Sequence, residues 1–169
     1  MAISPEPLYQ DNMGIPSSAI PPPDLSLLYR DAPTDKEVNL LVWMEHPDPM
    51  RRRWAITWSV GIAPSGAEVF RILHLVQEPN HVGLTNWGPL TRPLLEEDMR
   101  ITRKFLIARH LGADARQRLE RIAATTRVQA PDGVYGTQHW VVDVLKSAVE
   151  QGIFANSQCR AATSLAWQN

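Results

Sequence analysis

The first half of the chain carries the hydrophobic patterning of an antiparallel β-hairpin. In the segment 53–60, apolar side chains recur at every second position, at Trp54, Ile56, Trp58 and Val60. This alternation places the four on one face of a strand. The turn signal Ala-Pro-Ser-Gly follows at 63–66, and a second apolar stretch returns at 68–76. Together the two stretches predict an antiparallel pair joined by a longer loop.

Further elements follow from the same kind of pattern. The short apolar run 38–44 predicts a strand, and 101–109 predicts another, although helix and strand signals compete in the second segment. The segment 77–98 is rich in proline, glycine and asparagine and predicts an irregular loop. A stripe of apolar residues from Ala113 to Thr126 predicts an amphipathic helix.

The last third of the chain is helical by its periodicity. A helix is expected to start at or next to Thr137, after a glycine-punctuated loop, and to stop near Gly152. The tail 153–169 predicts a short additional helix. Strands first and helices afterwards indicate the α+β class, with the helices packed on one side of a mainly antiparallel sheet.

The N-terminal region differs from the rest in composition. Residues 1–37 are proline-rich and weakly periodic, and the run Ile20-Pro21-Pro22-Pro23 must be extended. We interpret this stretch as an arm draped on a single α+β domain formed by residues 38–169. A recognition strip for a proline-binding groove is the alternative. A further hypothesis is that the arm completes a homodimer or a lid, so that deleting residues 1–30 would change the oligomeric state or ligand affinity.

Composition narrows the classes of function. The 169 residues are 44% hydrophobic, which is enough for a core, and 17 basic residues nearly balance 18 acidic ones. A net charge of −1 gives no general attraction to nucleic acid, and the basic run 51–53 is too short to change that. No apolar run is long enough for a membrane span. The N-terminus lacks the pattern of a signal peptide, so we expect a cytoplasmic protein.

Motifs for metals and nucleotides are missing from the sequence. The five histidines show no close i, i+4 pair with a carboxylate, and no glycine-rich loop precedes Lys-Ser or Lys-Thr. We therefore expect neither a metal nor another cofactor. The single cysteine, Cys159, rules out an internal disulfide framework, and we interpret it as a buried or idle thiol.

The strongest candidate for chemistry is the predicted helix start at Thr137. A helix N-terminus exposes unpaired backbone N–H groups at the positive end of the helix dipole. Enzymes use such a position to hold an anion or to activate a nucleophile. The structural alternative is that Thr137 only caps its helix, since threonine is a favoured N-cap residue.

Three short motifs together resemble one enzyme family. The first strand offers Arg-Trp-Ala-Ile at 53–56, the second offers Leu-His-Leu at 73–75, and the helix offers Gly-Thr-Gln-His-Trp-Val at 136–141. Over roughly residues 50–153 this order resembles the permuted papain-like thiol enzymes, which include the lecithin:retinol acyltransferase-like group. The resemblance implies a papain-like permuted core. In that family a cysteine at the helix start is the nucleophile, a histidine on the first strand is the base, and a polar residue on the second orients it.

The chain departs from this family at the two positions that matter most for catalysis. Thr137 stands at the position of the nucleophilic cysteine and Arg53 at that of the base histidine, while His74 keeps the family residue type. A threonine hydroxyl needs an adjacent base, and arginine stays protonated at physiological pH. His74 is then the candidate base, if its ring reaches the Thr137 hydroxyl; the alternative is a structural histidine in the core.

Two hypotheses about function follow from these departures. The first is an enzyme repurposed from this fold, directed at a small organic molecule, with cofactor-independent cyclisation, isomerisation or acyl transfer as candidate reactions. Its predicted catalytic residues are His74, Thr137 and Arg53. Its predicted substrate-binding residues are His139, Trp54, Trp58 and Trp140. The second hypothesis is a non-catalytic binding protein on the same fold. The tryptophans fit either hypothesis, because tryptophan also fills ordinary cores.

Overall fold

A computed structural model describes residues 6–169 of the chain. Its centre is a five-stranded antiparallel sheet in the order β6-β3-β2-β1-β7, and a separate two-stranded ribbon pairs β4 with β5. The strands are β1 Lys36–Trp43, β2 Trp54–Ile62, β3 Glu68–Leu73, β4 Val76–Gln77, β5 Leu84–Thr85, β6 Leu90–Pro93 and β7 Thr102–Leu111. The predicted hairpin is confirmed as β2 and β3, which are paired in register at Ile56 and Leu73.

Four α-helices lie in the described part of the chain, and with the sheet they confirm the α+β class. They are α1 Glu96–Ile101, α2 Ala113–Thr125, α3 Thr137–Glu150 and α4 Asn156–Gln168. Helices α2, α3 and α4 all contribute to one large apolar core with the sheet, whereas α1 is short and has no buried residue. None of these helices combines the length and apolar composition that crossing a lipid bilayer requires.

Strand alternation divides the sheet into two faces, and this division decides where each candidate side chain points. The helix-side face carries Leu40 and Val42 of β1 and Trp54 of β2, which belong to the core shared with α3 and α4. The opposite face carries a smaller apolar cluster. Its members are Leu41, Trp43, Ala55, Phe70, Ile72 and Leu94.

The segment 77–98 is more regular than its composition predicts. It contains β4, β5, β6 and the start of α1. Strand β6 pairs with β3 and forms one edge of the sheet. Proline has no N–H to donate, and an edge strand tolerates Pro93 because no further strand requires that hydrogen bond. The density of proline and glycine hides the three short strands, because each is held by pairing with β3 or within the ribbon and not by its own propensity.

The N-terminal region runs along the body of the protein up to β1 and is joined to it by hydrogen bonds of two carboxylates, Asp24 and Asp31. Residues 1–5 of the predicted arm lie outside the described residues. Arg116 of α2 is fully buried, and its guanidinium bonds both carboxylate oxygens of Asp31 at 2.8 and 3.1 Å. The same carboxylate accepts the indole N–H of Trp58 at 3.0 Å. The Asp24 carboxylate accepts the backbone N–H of Thr91 on β6.

Candidate functional site

Helix α3 begins at Thr137, as its sequence predicts, and the Thr137 hydroxyl contacts the sheet. Trp54 N–H donates to the Thr137 Oγ1 at 2.9 Å, and both residues are buried. The ladder between β2 and β3 ends at the Ile56–Leu73 pair, so the Trp54 N–H lies beyond it. The Thr137 hydroxyl therefore accepts an N–H for which β3 supplies no carbonyl. Its main role is therefore to join α3 to the start of β2, and the α3 cap is formed by other groups.

His139 forms that cap. Its Nδ1 accepts the backbone N–H of Gly136 at 3.0 Å, and its ring stacks on Tyr135 with the ring centroids 5.8 Å apart. A His139 that accepts at Nδ1 carries its proton on Nε2 when neutral. This histidine closes the first turn of α3, two residues after Thr137.

His74 lies on the face of the sheet that is turned away from α3. It directly follows β3, between Leu73 and Leu75, both of which belong to the helix-side core. Its ring is buried, and Nε2 has no hydrogen-bond partner among the described residues. Burial lowers the pKa of His74 to about 3, with smaller contributions from the positive charges of Arg92 and Arg53. His74 is therefore neutral at physiological pH.

Arg53 points to the same face as His74. Its guanidinium stacks over the ring of Trp43, 4.7 Å from the centroid, and makes two bonds to the carboxylate of Glu45 at 2.7 and 2.6 Å. Asp98 of α1 lies 3.9 Å away. The hydrogen bond to Glu45 raises the pKa of Arg53 above its usual value. Arg53 thus joins the β1–β2 connection to α1, and its charge is directed away from Thr137.

The three tryptophans predicted to contact substrate are core residues. Trp54 packs against Trp167 of α4 with ring centroids 4.6 Å apart. Trp58 donates its indole N–H to Asp31, and Trp140 donates its own to the Thr126 carbonyl at 3.2 Å. All three are at most 1% exposed, and they are absent from the lining of the cleft described next.

A cleft of about 480 Å³ opens beside the N-terminus of α3. Its volume is in the range of sites for small organic molecules. Its lining comes from the β1–β2 connection, from the ribbon of β4 and β5, and from the loop 129–136. Three exposed apolar side chains form part of that lining: Met50, Val82 and Val134.

The charge around this cleft is one-sided. Arg51, Arg52 and Arg53 all border it, although the Arg53 guanidinium is paired with Glu45 on the opposite face of the sheet, and the lining residues of the described chain include no aspartate or glutamate. Arg52 is only 7% exposed, and two of its nitrogens bond the backbone carbonyls of His46 and Pro47. Its third nitrogen, Nη1, is buried without a partner among residues 6–169. A buried guanidinium with no carboxylate beside it is unusual, because buried charges are normally paired.

The first turn of α3 adds neutral donors to this positive environment. His139 and Trp140 make the first bonds of the helix, to the Gly136 carbonyl. The backbone N–H groups of Thr137 and Gln138 therefore precede the hydrogen-bond ladder of the helix. Both residues line the cleft, at the positive end of the α3 dipole.

Thr137 was predicted at this site from the sequence, whereas Arg52 and Gln138 were not. Gln138 is 1% exposed, and its side-chain amide donates to the carbonyls of Met50 and Pro49, which connects α3 to the β1–β2 connection. The signal for Arg52 is the arginine run 51–53, which directly precedes Trp54 in the sequence and therefore lies near the site. Gln138 gave none, because its partners lie almost 90 residues earlier in the chain.

Other chemistry-bearing groups lie away from the cleft. Cys159 is buried on α4, and burial raises the pKa of its thiol to about 11. Among residues 6–169, no group of three or more histidine, cysteine, aspartate and glutamate side chains is arranged to hold a metal ion. The cleft beside α3 is therefore the site at which the described residues bring positive charge, free donors and apolar surface together.

Comparison with known proteins finds no match: no protein-family model, no curated protein and no solved structure is significantly similar to this chain.

Proposed function

We propose that this chain is a non-catalytic binding protein whose cleft beside α3 takes a small organic molecule with one anionic group and an apolar body. The single observation that carries the proposal is the composition of the cleft lining. Arg51 and Arg52 border the cleft, and no acidic residue does so among the described residues. Arg53 borders it too, but its guanidinium is paired with Glu45 on the opposite face of the sheet. The lining also includes Thr137 and Gln138, whose backbone N–H groups precede the hydrogen-bond ladder of α3. Cations and helix N-terminal amides are the groups that bind carboxylates, sulfonates and phosphates.

The apolar part of the ligand is assigned to the outer lining. Met50, Val82 and Val134 are 49%, 82% and 66% exposed, which leaves their surfaces available to a hydrophobic group. Leu75 lies deeper and is buried. A ligand with its anionic group towards Arg52 and α3, and with its apolar body between these side chains, uses both kinds of surface.

Binding is a better fit to this geometry than catalysis through the family mechanism. The Thr137 hydroxyl accepts the Trp54 N–H, while His74 and Arg53 lie on the opposite face of the sheet. A hydroxyl nucleophile requires a base within hydrogen-bond reach. The hypothesis of a repurposed enzyme that uses His74, Thr137 and Arg53 remains a prediction, and these positions favour the binding protein over it.

A permuted papain-like core is the finer part of this proposal. Its support is the order of the elements: the antiparallel strands β2 and β3 are followed along the chain by α3. The first residue of α3, Thr137, contacts the first residue of β2, Trp54. A degenerate member of that superfamily would retain the cleft at the helix start after losing its thiol and its base. Such a history accounts for a cleft at Thr137 without catalytic groups around it.

The test uses a fluorescent probe that has the proposed ligand chemistry. 1-Anilinonaphthalene-8-sulfonate carries aromatic rings and one sulfonate, and N-phenyl-1-naphthylamine has the same rings without the charge. We expect saturable binding of the sulfonate at one site, and weaker binding of the neutral compound. Replacing exposed Arg51 by glutamine should weaken sulfonate binding by about threefold to tenfold, as expected for one charge-assisted contact.

Arg121→Gln provides the matched control, because Arg121 is exposed on α2 and the substitution changes the net charge equally. If Arg51→Gln and Arg121→Gln bind the sulfonate alike, the proposed site is wrong. Equal affinity for the charged and neutral probes would contradict the anionic group. Turnover of ester or thioester substrates that is lost in Thr137→Ala and His74→Ala would instead support the enzyme hypothesis.

A further inference from the structure

The N-terminal segment Tyr9–Gly14 contacts two walls of the cleft that come from distant parts of the chain. On one side, Gln10 N–H donates to the Val128 carbonyl at 2.8 Å, and Ala130 N–H donates to the Leu8 carbonyl at 2.7 Å. These bonds form an antiparallel bridge between Tyr9 and Gln129. The segment therefore extends the loop 128–130 as a short added strand.

On the other side, the same segment binds the ribbon of β4 and β5. Asn86 N–H donates to the Met13 carbonyl at 3.0 Å, and the Thr85 hydroxyl donates to the Gly14 carbonyl at 2.9 Å. Asn12, Met13 and Gly14 all have left-handed backbone conformations, with φ of 47°, 54° and 74°. Asparagine tolerates such angles, but methionine adopts them only where the surrounding structure holds it there.

The side chain of Gln10 joins the two walls directly. Its amide nitrogen donates to the Leu84 carbonyl at 3.0 Å and to the Gln129 carbonyl at 3.3 Å. Leu84 and Gln129 both line the cleft, and they are 45 residues apart in the sequence. One side chain outside the cleft thus fixes the spacing of two backbone segments that border it.

Two glycines make room for this arrangement, Gly83 between β4 and β5 and Gly14 in the N-terminal segment itself. A Cβ atom at Gly83 would overlap the Gln10 side-chain amide, and a Cβ atom at Gly14 would overlap the Leu84 carbonyl. Both glycines are buried. The close fit shows that the amide of Gln10 has little freedom to move while the two walls keep their positions.

We propose that Gln10 is a positioning residue for ligand binding, which holds the walls at Leu84 and Gln129 at the spacing that the ligand requires. This inference rests on the proposed function. When the amide is removed, the walls can separate, and only a fraction of the molecules keeps the binding-competent cleft. The apparent dissociation constant then rises by the inverse of that fraction.

The experiment uses the full chain and the sulfonate probe. Gln10→Met keeps the length of the side chain and removes the donor, and Gln117→Met on an exposed position of α2 is the control. We expect Gln10→Met to raise the dissociation constant about threefold to tenfold and the control to match the wild type. The urea midpoint of Gln10→Met should fall slightly, because two hydrogen bonds are lost, while the protein remains folded under the conditions of the binding measurement. Gln10→Glu places a carboxylate against two carbonyl oxygens, so its loss of affinity should be larger.

Amide hydrogen exchange gives a second readout that needs no ligand. In Gln10→Met, exchange at Asn86 and Ala130 should accelerate relative to the wild type, because both N–H groups bond the N-terminal segment. Wild-type affinity in Gln10→Met and Gln10→Glu would overturn the role of Gln10 and leave the proposed function intact. If the wild type itself fails to bind the probe, the proposed function fails, and unchanged exchange at both amides would overturn the inference about the walls.

Discussion

The Thr137 hydroxyl accepts the backbone N–H of Trp54 at 2.9 Å, across 83 residues of sequence. Thr137 is the first residue of α3 and Trp54 the first residue of β2, so one hydrogen bond joins the start of a helix to the start of a strand. The resemblance to thiol enzymes implies a nucleophile at position 137. The hydroxyl found there accepts a hydrogen bond from the backbone of β2. This hydrogen bond by itself accounts for a side chain with an oxygen atom at position 137.

Replacing Thr137 by valine should destabilise the fold. Valine has nearly the same shape but no acceptor, so the buried Trp54 N–H would lose its partner at a cost of about 1–3 kcal/mol in the free energy of unfolding. Thr137→Ser keeps the oxygen and loses only a methyl group, for which we expect about 1 kcal/mol or less. Urea denaturation of the two variants gives the comparison, and a valine variant as stable as the serine variant would contradict the role assigned to this hydrogen bond.

The main elements were predictable because their signals are local. The alternation of Trp54, Ile56 and Trp58 predicted β2 and its buried face, and all three lie in the helix-side core. The glycine before Thr137 and the apolar stripe after it predicted where α3 begins. Such patterns need only the chain's own neighbours and the periods of strand and helix.

The composition of the site was not predictable in the same way. Matching short motifs brought Arg53, His74 and Thr137 together, but alternation along β2 turns Arg53 away from the face that carries Trp54. The Leu73 side chain lies in the helix-side core, so alternation turns the next residue, His74, to the opposite face. The contacts of Gln10 and Gln138 depend on partners more than 70 residues away, which no local pattern specifies.

Acid should destabilise this protein through His74. Because burial lowers its pKa to about 3 in the folded state, the unfolded chain, with a pKa near 6.5, binds a proton that the folded chain does not. The free energy of unfolding should therefore fall as the pH falls from about 6.5 towards 3, with a slope approaching about 1.4 kcal/mol per pH unit from this group. Urea denaturation at pH 7, 6, 5 and 4 measures this slope.

The variant His74→Leu isolates the contribution of this histidine. Leucine cannot titrate and removes the buried nitrogen that has no partner among the described residues, so the slope between pH 6.5 and 4 should become shallower. His110→Gln, at an exposed position of β7, is the control and should keep the wild-type slope. Identical slopes in wild type and His74→Leu would show that His74 is not the group responsible.

Gly136→Ala should disturb the joint between α3 and the β1–β2 connection. A Cβ atom at Gly136 would overlap the side-chain oxygen of Gln138, whose amide is buried against the carbonyls of Met50 and Pro49. We expect a loss of about 1–3 kcal/mol in the free energy of unfolding. Weaker binding of the sulfonate probe should accompany it, because Met50 and Gln138 line the cleft.

Gly112→Ala is the matched control for this substitution. Gly112 also precedes a helix, has a φ of −66°, and its Cβ atom would meet only an ordinary contact with Asp35 at 3.7 Å. Thermal and urea unfolding should show a smaller effect there than at Gly136. A Gly136→Ala variant with the stability and probe affinity of Gly112→Ala would mean that Gln138 moves aside without cost.

The pairing of Asp31 with Arg116 should make the N-terminal region a stabilising part of the fold. Arg116 is fully buried, so Asp31→Ala would leave its charge without a carboxylate, although the carbonyls of Ala32, Thr34 and Leu111 still accept from it. We expect a loss of about 3 kcal/mol and faster proteolysis of the N-terminal region. Arg116→Met with Asp31→Ala should cost less than the sum of the single changes by about 1 kcal/mol or more, because the two residues interact.

The matched control is Asp114→Ala, at an exposed position in the first turn of α2. It should cost less than about 1 kcal/mol in the free energy of unfolding. Equal losses for Asp31→Ala and Asp114→Ala, together with additive changes in the double variant, would mean that this contact does not hold the N-terminal region to α2.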